Sequence, residues 1–400
     1  MSEPADCIVA GHICLDIAPQ MYAGGSTISE IFRPGKLINV GPATVSTGGS
    51  VSNTGLPLRR LGINVQLMGK CGEDVFGRAL VDAIRQEAPG AEAGMQVVAG
   101  EKTSYSVVIN PRGIDRMFLH CPGANDTFTA DDIDLELVRV ARLFHFGYPP
   151  LMARMYGQAG KQLVELLHQA KTAGATTSLD MALPDPAGPS GKVDWKSILN
   201  ASLPHVDIFT PSVEELTFML RRKTFDELLA RAGDAELLGL VDGELLCDAA
   251  NQCIDAGAAI VLIKCGYHGL YVRTAGRGRL ERLGRCGPGD LNAWTNRELF
   301  EPSYAVETVV SATGAGDCAI AGFLAAFLRG CNVEDAMRYG CAVGAQNVRA
   351  ADAVSGVLSW DQTVRQVASR PARNDVTIPL ARWRYDESQG HYRGPRDGKS

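Results

Sequence analysis

Short apolar runs alternate with longer amphipathic stretches along most of the chain. Runs rich in β-branched and aromatic side chains predict strands at residues 7–13, 65–69, 143–146, 176–179, 206–209 and 259–263. Apolar side chains at helical spacing predict helices at residues 51–61, 77–86, 151–173, 213–220, 243–256, 314–329 and 333–348. Strands that are separated by helices of this length pair in parallel through right-handed crossovers. The pattern therefore predicts an α/β fold with a mostly parallel sheet flanked by helices.

Two stretches depart from this rhythm. Residues 27–45 and 95–120 alternate apolar and polar side chains and are interrupted by Gly and Pro. This alternation is typical of strands with one wet face, so it predicts a small sheet, or lid, built from segments at about 17–45 and 95–122. The other face of such a sheet needs cover, either from a ligand or from a second subunit in a homodimer. Arg112 and Arg116 lie in the lid and either meet an anionic group on a substrate or belong to a solvated hairpin.

Two further segments show no regular period. Residues 273–302 are rich in glycine and charge, and we expect an irregular surface insertion there. Residues 371–400 are polar and contain Pro, Arg and Gly, which predicts a loosely attached C-terminal tail. The expected organisation is thus one domain over residues 1–370 followed by this tail.

Composition excludes several classes of protein. The chain has 400 residues, of which 46% are hydrophobic, which is enough for a large core. A net charge of −6 argues against nucleic-acid or membrane-surface partners, which require a basic excess. The sequence lacks an apolar segment of about 18 residues and a secretory signal, so we expect a cytoplasmic protein. Its 11 cysteines form no C-x-x-C pair, which favours reduced, buried thiols.

A glycine-rich turn at residues 313–317 carries the strongest chemical signal. Gly314, Ala315 and Gly316 precede an apolar helix, where free backbone amides and the helix dipole attract an anion such as phosphate. The turn lacks the Gly-Lys-Ser/Thr of a Walker A loop. Asp317 could accept a proton from a hydroxyl that attacks this phosphate, and its alternative role is to cap the helix.

A second cluster has the chemistry to bind a small polar molecule. Gly48 and Gly49 stand before a helix whose first turn carries Asn53. Glycines let a ligand approach the backbone, and the Asn amide offers donors and an acceptor to hydroxyls. Asp16 follows the first strand, at the sheet edge where ligands of parallel sheets gather. The alternatives are a tight turn with a local Asn contact and a solvated loop Asp.

Four motifs together resemble one known family. They lie at residues 48–53, 72–77, 264–269 and 313–317, in the order found in ribokinase-like carbohydrate kinases of the phosphofructokinase-B type. The resemblance extends from about residue 6 to residue 360. It implies a three-layer α/β/α sandwich with a small β-sheet lid. It also implies MgATP-dependent phosphorylation of a hydroxyl on a small sugar or nucleoside.

The resemblance also implies roles for individual residues. The expected catalytic base is Asp317, and the expected anion hole consists of the Gly314, Ala315 and Gly316 amides. The expected acceptor contacts are Asp16, Gly48, Gly49 and Asn53. The expected nucleotide contacts are Lys264, Gly266, Gly269 and Thr313, although Lys264 could instead extend outward to solvent. Glu215 is expected to act on Mg²⁺ indirectly, through water.

Two departures from the family pattern qualify these roles. Ser212 stands where the family has Asn, near the expected metal contact. Ser311 and Ala312 replace the Asp-Thr whose carboxylate helps to hold an activating monovalent cation in relatives, so we expect weak or absent potassium dependence. These departures support an alternative, a non-catalytic sugar- or nucleotide-binding descendant of the fold. A nicotinamide-dependent oxidoreductase is disfavoured, because no G-x-G-x-x-G follows the first strand.

Overall fold

The computed structural model describes residues 5–22, 24, 27–111, 117–233 and 237–399. Arg112 and Arg116, which the sequence places in the lid, lie outside the described residues.

Strands and helices alternate along the described part of the chain. The strands are β1 (Cys7–Gly11), β2 (Cys14–Met21), β3 (Val40–Gly48), β4 (Val65–Met68), β5 (Lys70–Gly72), β6 (Gln96–Val98), β7 (Tyr105–Ile109), β8 (Met117–Cys121), β9 (Leu143–Gly147), β10 (Thr176–Asp180), β11 (Ile208–Phe209), β12 (Ile260–Lys264), β13 (Gly269–Thr274), β14 (Glu298–Pro302), β15 (Arg384–Asp386) and β16 (His391–Arg393). The helices are α1 (Ile28–Ile31), α2 (Ser50–Arg60), α3 (Val75–Glu87), α4 (Leu135–Val140), α5 (Ala153–Tyr156), α6 (Lys161–Thr172), α7 (Trp195–Ser202), α8 (Val213–Leu220), α9 (Arg222–Ala232), α10 (Gly243–Asp255), α11 (Arg277–Leu280), α12 (Leu291–Trp294), α13 (Ala315–Leu328), α14 (Val333–Asn347) and α15 (Trp360–Ala368). Within these described segments, no helix has the length and apolar character needed to span a membrane.

A ten-stranded sheet forms the centre of the molecule, in the order β15-β16-β14-β13-β12-β11-β10-β9-β1-β4. The strands from β4 to β12 in this order pair in parallel, and the four at the other end pair antiparallel. Side chains that alternate along a strand enter two different cores. In β1, Cys7 and Val9 pack into the core that contains α2, α13 and α14, whereas Ile8 and Ala10 pack into the core that contains α6, α7 and α10. The predicted three-layer α/β/α sandwich is confirmed.

A smaller four-stranded sheet, in the order β3-β2-β7-β8, corresponds to the predicted lid. The pairing register of its strands aligns residues of similar polarity in rows across the sheet. One row is polar and consists of Ser46, Asp16, Ser106 and His120. The next row is apolar and consists of Val45, Ile17, Val107 and Leu119. Because neighbouring residues of a strand point to opposite faces, the polar row and the apolar row lie on opposite faces of the lid, which we call its polar face and its apolar face.

The prediction of an irregular insertion at residues 273–302 is wrong at both ends. Residues 269–274 form β13, and residues 298–302 form the fully buried strand β14. The two glutamates of β14 interrupt the apolar pattern by which a buried strand is predicted from sequence. In the fold, both carboxylates are buried and have partners. The Glu298 carboxylate accepts hydrogen bonds from Cys247 Sγ and Tyr271 OH, and Glu301 pairs with Arg373.

The prediction of a loosely attached tail over residues 371–400 is also wrong for most of the described part. Strand β16 pairs with β14 and with β15, so the C-terminal segment extends the central sheet. Trp383 packs its ring against the buried ring of Tyr271 at a centroid distance of 5.8 Å. The long helix predicted at residues 151–173 is divided into α5 and α6, because Gly157 and Gly160 interrupt the helical backbone between them.

Candidate active site

The candidate site lies at the carboxyl ends of the parallel strands. His12 follows β1, Tyr148 follows β9, Asp180 ends β10 and Lys264 ends β12. These ends meet along one edge of the sheet, where parallel α/β sheets bind their ligands. The glycine turn at the start of α13 and the start of α2 approach the same edge from one core layer, since α13 packs closely against α2. The fold thus gathers residues that are far apart in sequence.

Asp317 lies in the first turn of α13 behind the predicted glycine turn. Gly314 adopts a left-handed backbone (φ 73°, ψ 2°) where the chain enters the helix, and the Ala315 amide donates to Ala312 O at 3.2 Å. Gly314, Ala315, Gly316 and Asp317 all line a cavity of about 880 Å³. The Asp317 side chain is buried, with 3% of its surface exposed. The structure therefore brings the predicted base and the predicted anion hole to one wall of this cavity.

Neutral donors from two other elements hold the Asp317 carboxylate. Tyr148 OH donates to Oδ2 at 2.7 Å, and Thr54 Oγ1 donates to Oδ1 at 3.5 Å. Asn53 also hydrogen-bonds this carboxylate. Tyr148 has a left-handed backbone (φ 65°), which is uncommon for a non-glycine residue.

An ion pair lies beside this carboxylate. Lys264 Nζ is 2.6 Å from Asp180 Oδ1 and 3.9 Å from Glu215 Oε2. Burial raises the pKa of Asp317 to about 7, and the Asp180 carboxylate adds to this rise, while Lys264 opposes it. Burial also raises the pKa of Glu215 to about 7. The centre therefore combines a buried cation with acids that titrate near neutral pH.

The predicted acceptor contacts form a second group under the lid. A Cβ on Gly48 would lie 2.3 Å from Asp16 Oδ2, and one on Gly49 would lie 2.6 Å from His12 Nδ1. Gly49 also has a φ of 86°, so both positions require glycine for close approach. Asn53 contacts Asp317 and therefore joins this group to the candidate base.

Two buried polar atoms of this second group, Asn53 Oδ1 and His12 Nδ1, have no hydrogen-bond partner within the described residues. His12 Nε2 is 3.3 Å from His120 Nε2, and Ser106 Oγ is 3.0 Å from His120 Nδ1. Burial lowers the pKa of His12 to about 3, and it also lowers the pKa of His120. The His12 and His120 rings are therefore neutral near pH 7. A ligand hydroxyl could satisfy the unpaired atoms.

The predicted nucleotide contacts divide into two groups. Lys264, Gly266 and Gly269 line the large cavity together with the glycine turn. Thr313 is not part of its lining, and its hydroxyl accepts a hydrogen bond from Ser311 Oγ at 3.2 Å instead. Ala312 lines the cavity in its place.

Glu215 lies in the same cavity and also caps a helix. Its Oε2 accepts the Ser212 amide at 2.6 Å, and Ser212 Oγ accepts the Glu215 amide at 3.1 Å, which completes a capping box at the start of α8. In the described part of the chain, no three His, Cys, Asp or Glu side chains are grouped so that they could hold a metal ion. Glu215 therefore lies in the cavity as a helix-capping acid.

Several residues of the site carry no local sequence signal. Tyr148 and Asp180 follow or end strands whose sequences read only as buried core. Asn374 and Asp375 line the cavity although they belong to the segment predicted as a tail. A polar residue at the end of each predicted parallel strand is the one signal that could have found Tyr148 and Asp180.

The fold and the site together define a ribokinase-like protein. The chain superimposes on Arabidopsis thaliana ribokinase complexed with ribose and ATP at a TM-score of 0.66, with 20% identity, over 90% of this chain and 98% of that one. It superimposes equally well on a Xylella fastidiosa fructokinase with bound ATP, at a TM-score of 0.66 and 19% identity, over 92% of this chain and 99% of that one.

The sequence comparison then assigns the family. Residues 9–360 match the model of the pfkB family carbohydrate kinases, and the chain belongs to this family. It is 30% identical over 222 residues to the probable fructokinase-3 of Arabidopsis thaliana, which covers 55% of this chain and 60% of that relative. It is 27% identical over 273 residues to fructokinase-2 of Solanum lycopersicum, over 67% of this chain and 76% of that relative. The predicted family resemblance is confirmed.

Proposed function

We propose that this protein transfers the γ-phosphoryl group of ATP to a hydroxyl of a small sugar, with Asp317 as the general base. The observation that carries this proposal is the position of Asp317, a buried acid that opens on the large cavity beside the Gly314–Gly316 turn. The Ala315 amide donates to Ala312 O at 3.2 Å, so a carboxylate and the Gly314 and Gly316 amides at this helix start supply both requirements of phosphoryl transfer to an alcohol. These are removal of the proton and neutralisation of the phosphate charge.

The reaction follows from this arrangement. Asp317 takes the proton of the acceptor hydroxyl while the hydroxyl oxygen forms a bond to the γ-phosphorus, and the bond from phosphorus to the bridging oxygen of ADP breaks. A pKa of about 7 suits the task, because the group is then partly ionised at neutral pH and can still hold a proton. The Tyr148 hydroxyl donates to Oδ2 of the Asp317 carboxylate, and the Thr54 hydroxyl donates to Oδ1. These two hydrogen bonds orient the carboxylate.

The phosphate side of the site supplies positive charge. Gly314, Ala315, Gly316 and Lys264 line the cavity where the phosphates would lie, and we assign the phosphate contacts to the Gly314 and Gly316 amides and the Lys264 ammonium group. Bound Mg²⁺ would neutralise the nucleotide phosphates, and Glu215 would contact it through water. Glu214, Glu215 and Asp317 all line this cavity, and we assign the water-mediated metal contact to Glu215.

The acceptor is proposed to bind between α2 and the lid. Asp16 and the unpaired Asn53 Oδ1 offer acceptors for sugar hydroxyls, and the polar face of the lid closes over them. Fructose is the first acceptor to test, since curated relatives carry the name fructokinase. Nucleosides are the second class, because one structural neighbour at a TM-score of 0.59 is an archaeal nucleoside kinase.

A coupled assay tests the proposal. ADP release is measured with MgATP and a panel of ketoses, aldoses and nucleosides, beside isothermal titration of ATP and of each acceptor. We expect turnover with at least one sugar and binding of ATP in the micromolar to millimolar range typical of enzymes. Binding of both ligands without ADP release would favour the non-catalytic alternative and overturn the proposed activity.

We also propose that a second copy of the chain covers the apolar face of the lid. Val45 and Leu119 of the apolar row are 53% and 59% exposed, and they flank Ile17 and Val107. A contiguous apolar row of this kind is costly to leave in water. Light scattering should find a dimer that L119E converts to monomer, and a monomeric wild type would refute this assembly. The cytoplasmic location stays a prediction.

A further inference from the structure

The C-terminal segment reaches the large cavity from outside the region that matches the family. The family model ends at residue 360, yet residues 372–374 run antiparallel to residues 303–305 at the cavity rim. The Ala305 amide donates to Ala372 O at 2.9 Å, and the Asn374 amide donates to Ser303 O at 2.9 Å. This part of the chain is therefore built into the wall of the site.

Arg373 fixes this segment in place. Its guanidinium donates to Glu301 Oε1 at 2.5 Å and to Pro302 O at 2.7 Å, and it stacks over the Tyr304 ring at 3.6 Å from the centroid. Glu301 is 1% exposed, so the pair is charge-assisted and protected from water. A segment held by an ion pair, a backbone ladder and a cation–π contact presents its next residues at a defined position.

Asn374 and Asp375 are the residues so presented. Asn374 Nδ2 donates to Ser303 Oγ at 2.8 Å and to Tyr267 O at 3.1 Å, which ties it to the loop before β13. Asp375 follows it, is exposed, and lines the cavity. The amide of Asn374 thus serves the fold, while Asp375 is placed in the lining of the cavity.

The charge of Asp375 determines which part of a nucleotide it could meet. The Gly314–Gly316 turn and Lys264 attract phosphate at one part of the cavity, whereas a carboxylate repels phosphate and pairs with hydroxyl donors. Val306, Val309 and Val348 give the cavity an apolar wall suited to a base. The ribose, which carries two hydroxyls and links the base to the phosphates, is the part of the nucleotide that matches a carboxylate.

We propose that Asp375 accepts hydrogen bonds from the ribose hydroxyls of the donor nucleotide, with Arg373 and Asn374 as positioning residues. This inference rests on the proposed function and adds to it a nucleotide contact from the C-terminal segment.

The test compares ATP with dideoxy-ATP, which lacks both ribose hydroxyls. Wild type, D375A and the matched control E387A are assayed for KM and kcat with both donors, and ATP binding is measured by isothermal titration. Glu387 is an exposed acid of the same segment and does not line the cavity. We expect D375A to raise KM for ATP about tenfold, the effect of losing a hydrogen bond to a charged group, with kcat unchanged. The KM for dideoxy-ATP should be the same in D375A and wild type.

The outcomes separate this inference from the proposed function. If wild type turns over but D375A keeps the same ratio of KM values for the two donors, Asp375 does not contact the ribose and the inference is overturned, while the kinase proposal stands. If wild type neither binds ATP nor releases ADP, both fail. An equal rise of both KM values in D375A would indicate a displaced rim instead of a lost contact, and would also overturn the inference. Thermal unfolding of each variant checks that the fold is retained.

Discussion

Two buried acids of this protein have the same pKa and opposite surroundings. Burial raises the pKa of Asp317 to about 7, and it raises the pKa of Glu301 to about 7 as well. Glu301 is closed off by the guanidinium of Arg373, and a second guanidinium, that of Arg338, is 3.9 Å away. Asp317 is held by the phenol of Tyr148 and borders the large cavity.

The difference shows that a perturbed pKa alone does not identify a catalytic acid. Loss of hydration produces both shifts, since removing a carboxylate from water favours its neutral form wherever this happens. The hydrogen-bond and ion-pair partners of each carboxylate, and its access to a cavity, distinguish a structural acid from a catalytic one. Glu301 has cationic partners that fix the C-terminal segment, whereas Asp317 has neutral donors and space for a substrate. Structural ion pairs and catalytic groups are therefore told apart by geometry.

The strongest test of the comparison removes each charge with an isosteric amide. D317N should lower kcat about 10³-fold, because an amide cannot accept the acceptor proton, with the Kd for ATP changed less than about threefold. E301Q should retain kcat within about threefold, because this residue does not border the reacting groups. Steady-state kinetics and titration calorimetry measure both. Near-normal turnover in D317N would mean that another group is the base.

The raised pKa of Glu301 also predicts that stability depends on pH, and E301Q is the variant that tests this. The folded-state pKa of Glu301, about 7, is above its unfolded value of about 4.3, so the folded protein binds the extra proton in this interval. The contribution of Glu301 to the free energy of unfolding therefore declines as pH rises from about 4.3 to about 7, and it is most favourable below this range. Urea unfolding should show wild type losing stability relative to E301Q across this interval. A difference that does not vary with pH would contradict the assigned shift.

A second prediction concerns the ion pair next to Asp317. K264M should leave the buried Asp180 without its cation, which costs about 3–5 kcal/mol of stability, and should lower kcat about 100-fold through loss of phosphate neutralisation. The double variant K264M/D180N removes the stranded charge. It should recover much of the stability measured by urea unfolding but none of the turnover. Recovery of both would assign Lys264 a purely structural role.

The sequence revealed the parts of the site that are contiguous in the chain. The glycine turn and Asp317 form one local motif, so Asp317 was identified without the fold. Tyr148 and Asp180 could not be found in this way, because they reach Asp317 only after β9 and β10 pair in the sheet. Periodicity predicted a mostly parallel sheet flanked by helices, whereas the three-layer sandwich was implied by the family resemblance.

Strand β14 shows why other parts of the fold could not be predicted. Glu298 and Glu301 interrupt its apolar pattern, and their partners include Cys247 and Arg373, which are about 50 and about 70 residues away in the chain. A charged residue signals exposure in a sequence, but a distant partner can make its burial favourable. Asp375 was missed for the same reason. Arg373 contacts residues that are distant in sequence, and these contacts place the polar C-terminal segment in the lining of the cavity.

A third prediction addresses the neutral donor that distinguishes Asp317 from Glu301. The phenol of Tyr148 stabilises the charged form of Asp317, so Y148F should raise the pKa of Asp317 further. The groups that face Asp317 from the other elements are Asp180, Lys264, Asn53 and Thr54, and none of these changes. Since the ionised form is the base, the acid limb of the kcat/KM profile should move to higher pH by up to about one unit. Activity should fall more at pH 6 than at pH 8.5.

The control for this prediction is Y156F, which alters a tyrosine that packs against Trp195 away from the site. Its pH profile should match wild type. A loss of activity in Y148F that is equal at every pH would show that the phenol only supports the backbone near the site. In that case its hydrogen bond would have no part in tuning the base.

The smallest expected effect concerns Ser311 and Ala312, which lead into the glycine turn. Neither a paired acid like Glu301 nor an accessible acid like Asp317 is present at these two positions. Ser311 donates to Thr313 Oγ1 at 3.2 Å, and its amide donates to Val348 O at 3.3 Å. A hydroxyl lacks the negative charge with which a carboxylate holds a monovalent cation. Replacing KCl with tetramethylammonium chloride at equal ionic strength should therefore change kcat less than about twofold, since equal ionic strength leaves the general screening of charges unchanged. The double variant S311D/A312T restores a carboxylate and should gain a response to potassium, whereas a steep potassium activation of the wild type would refute the prediction.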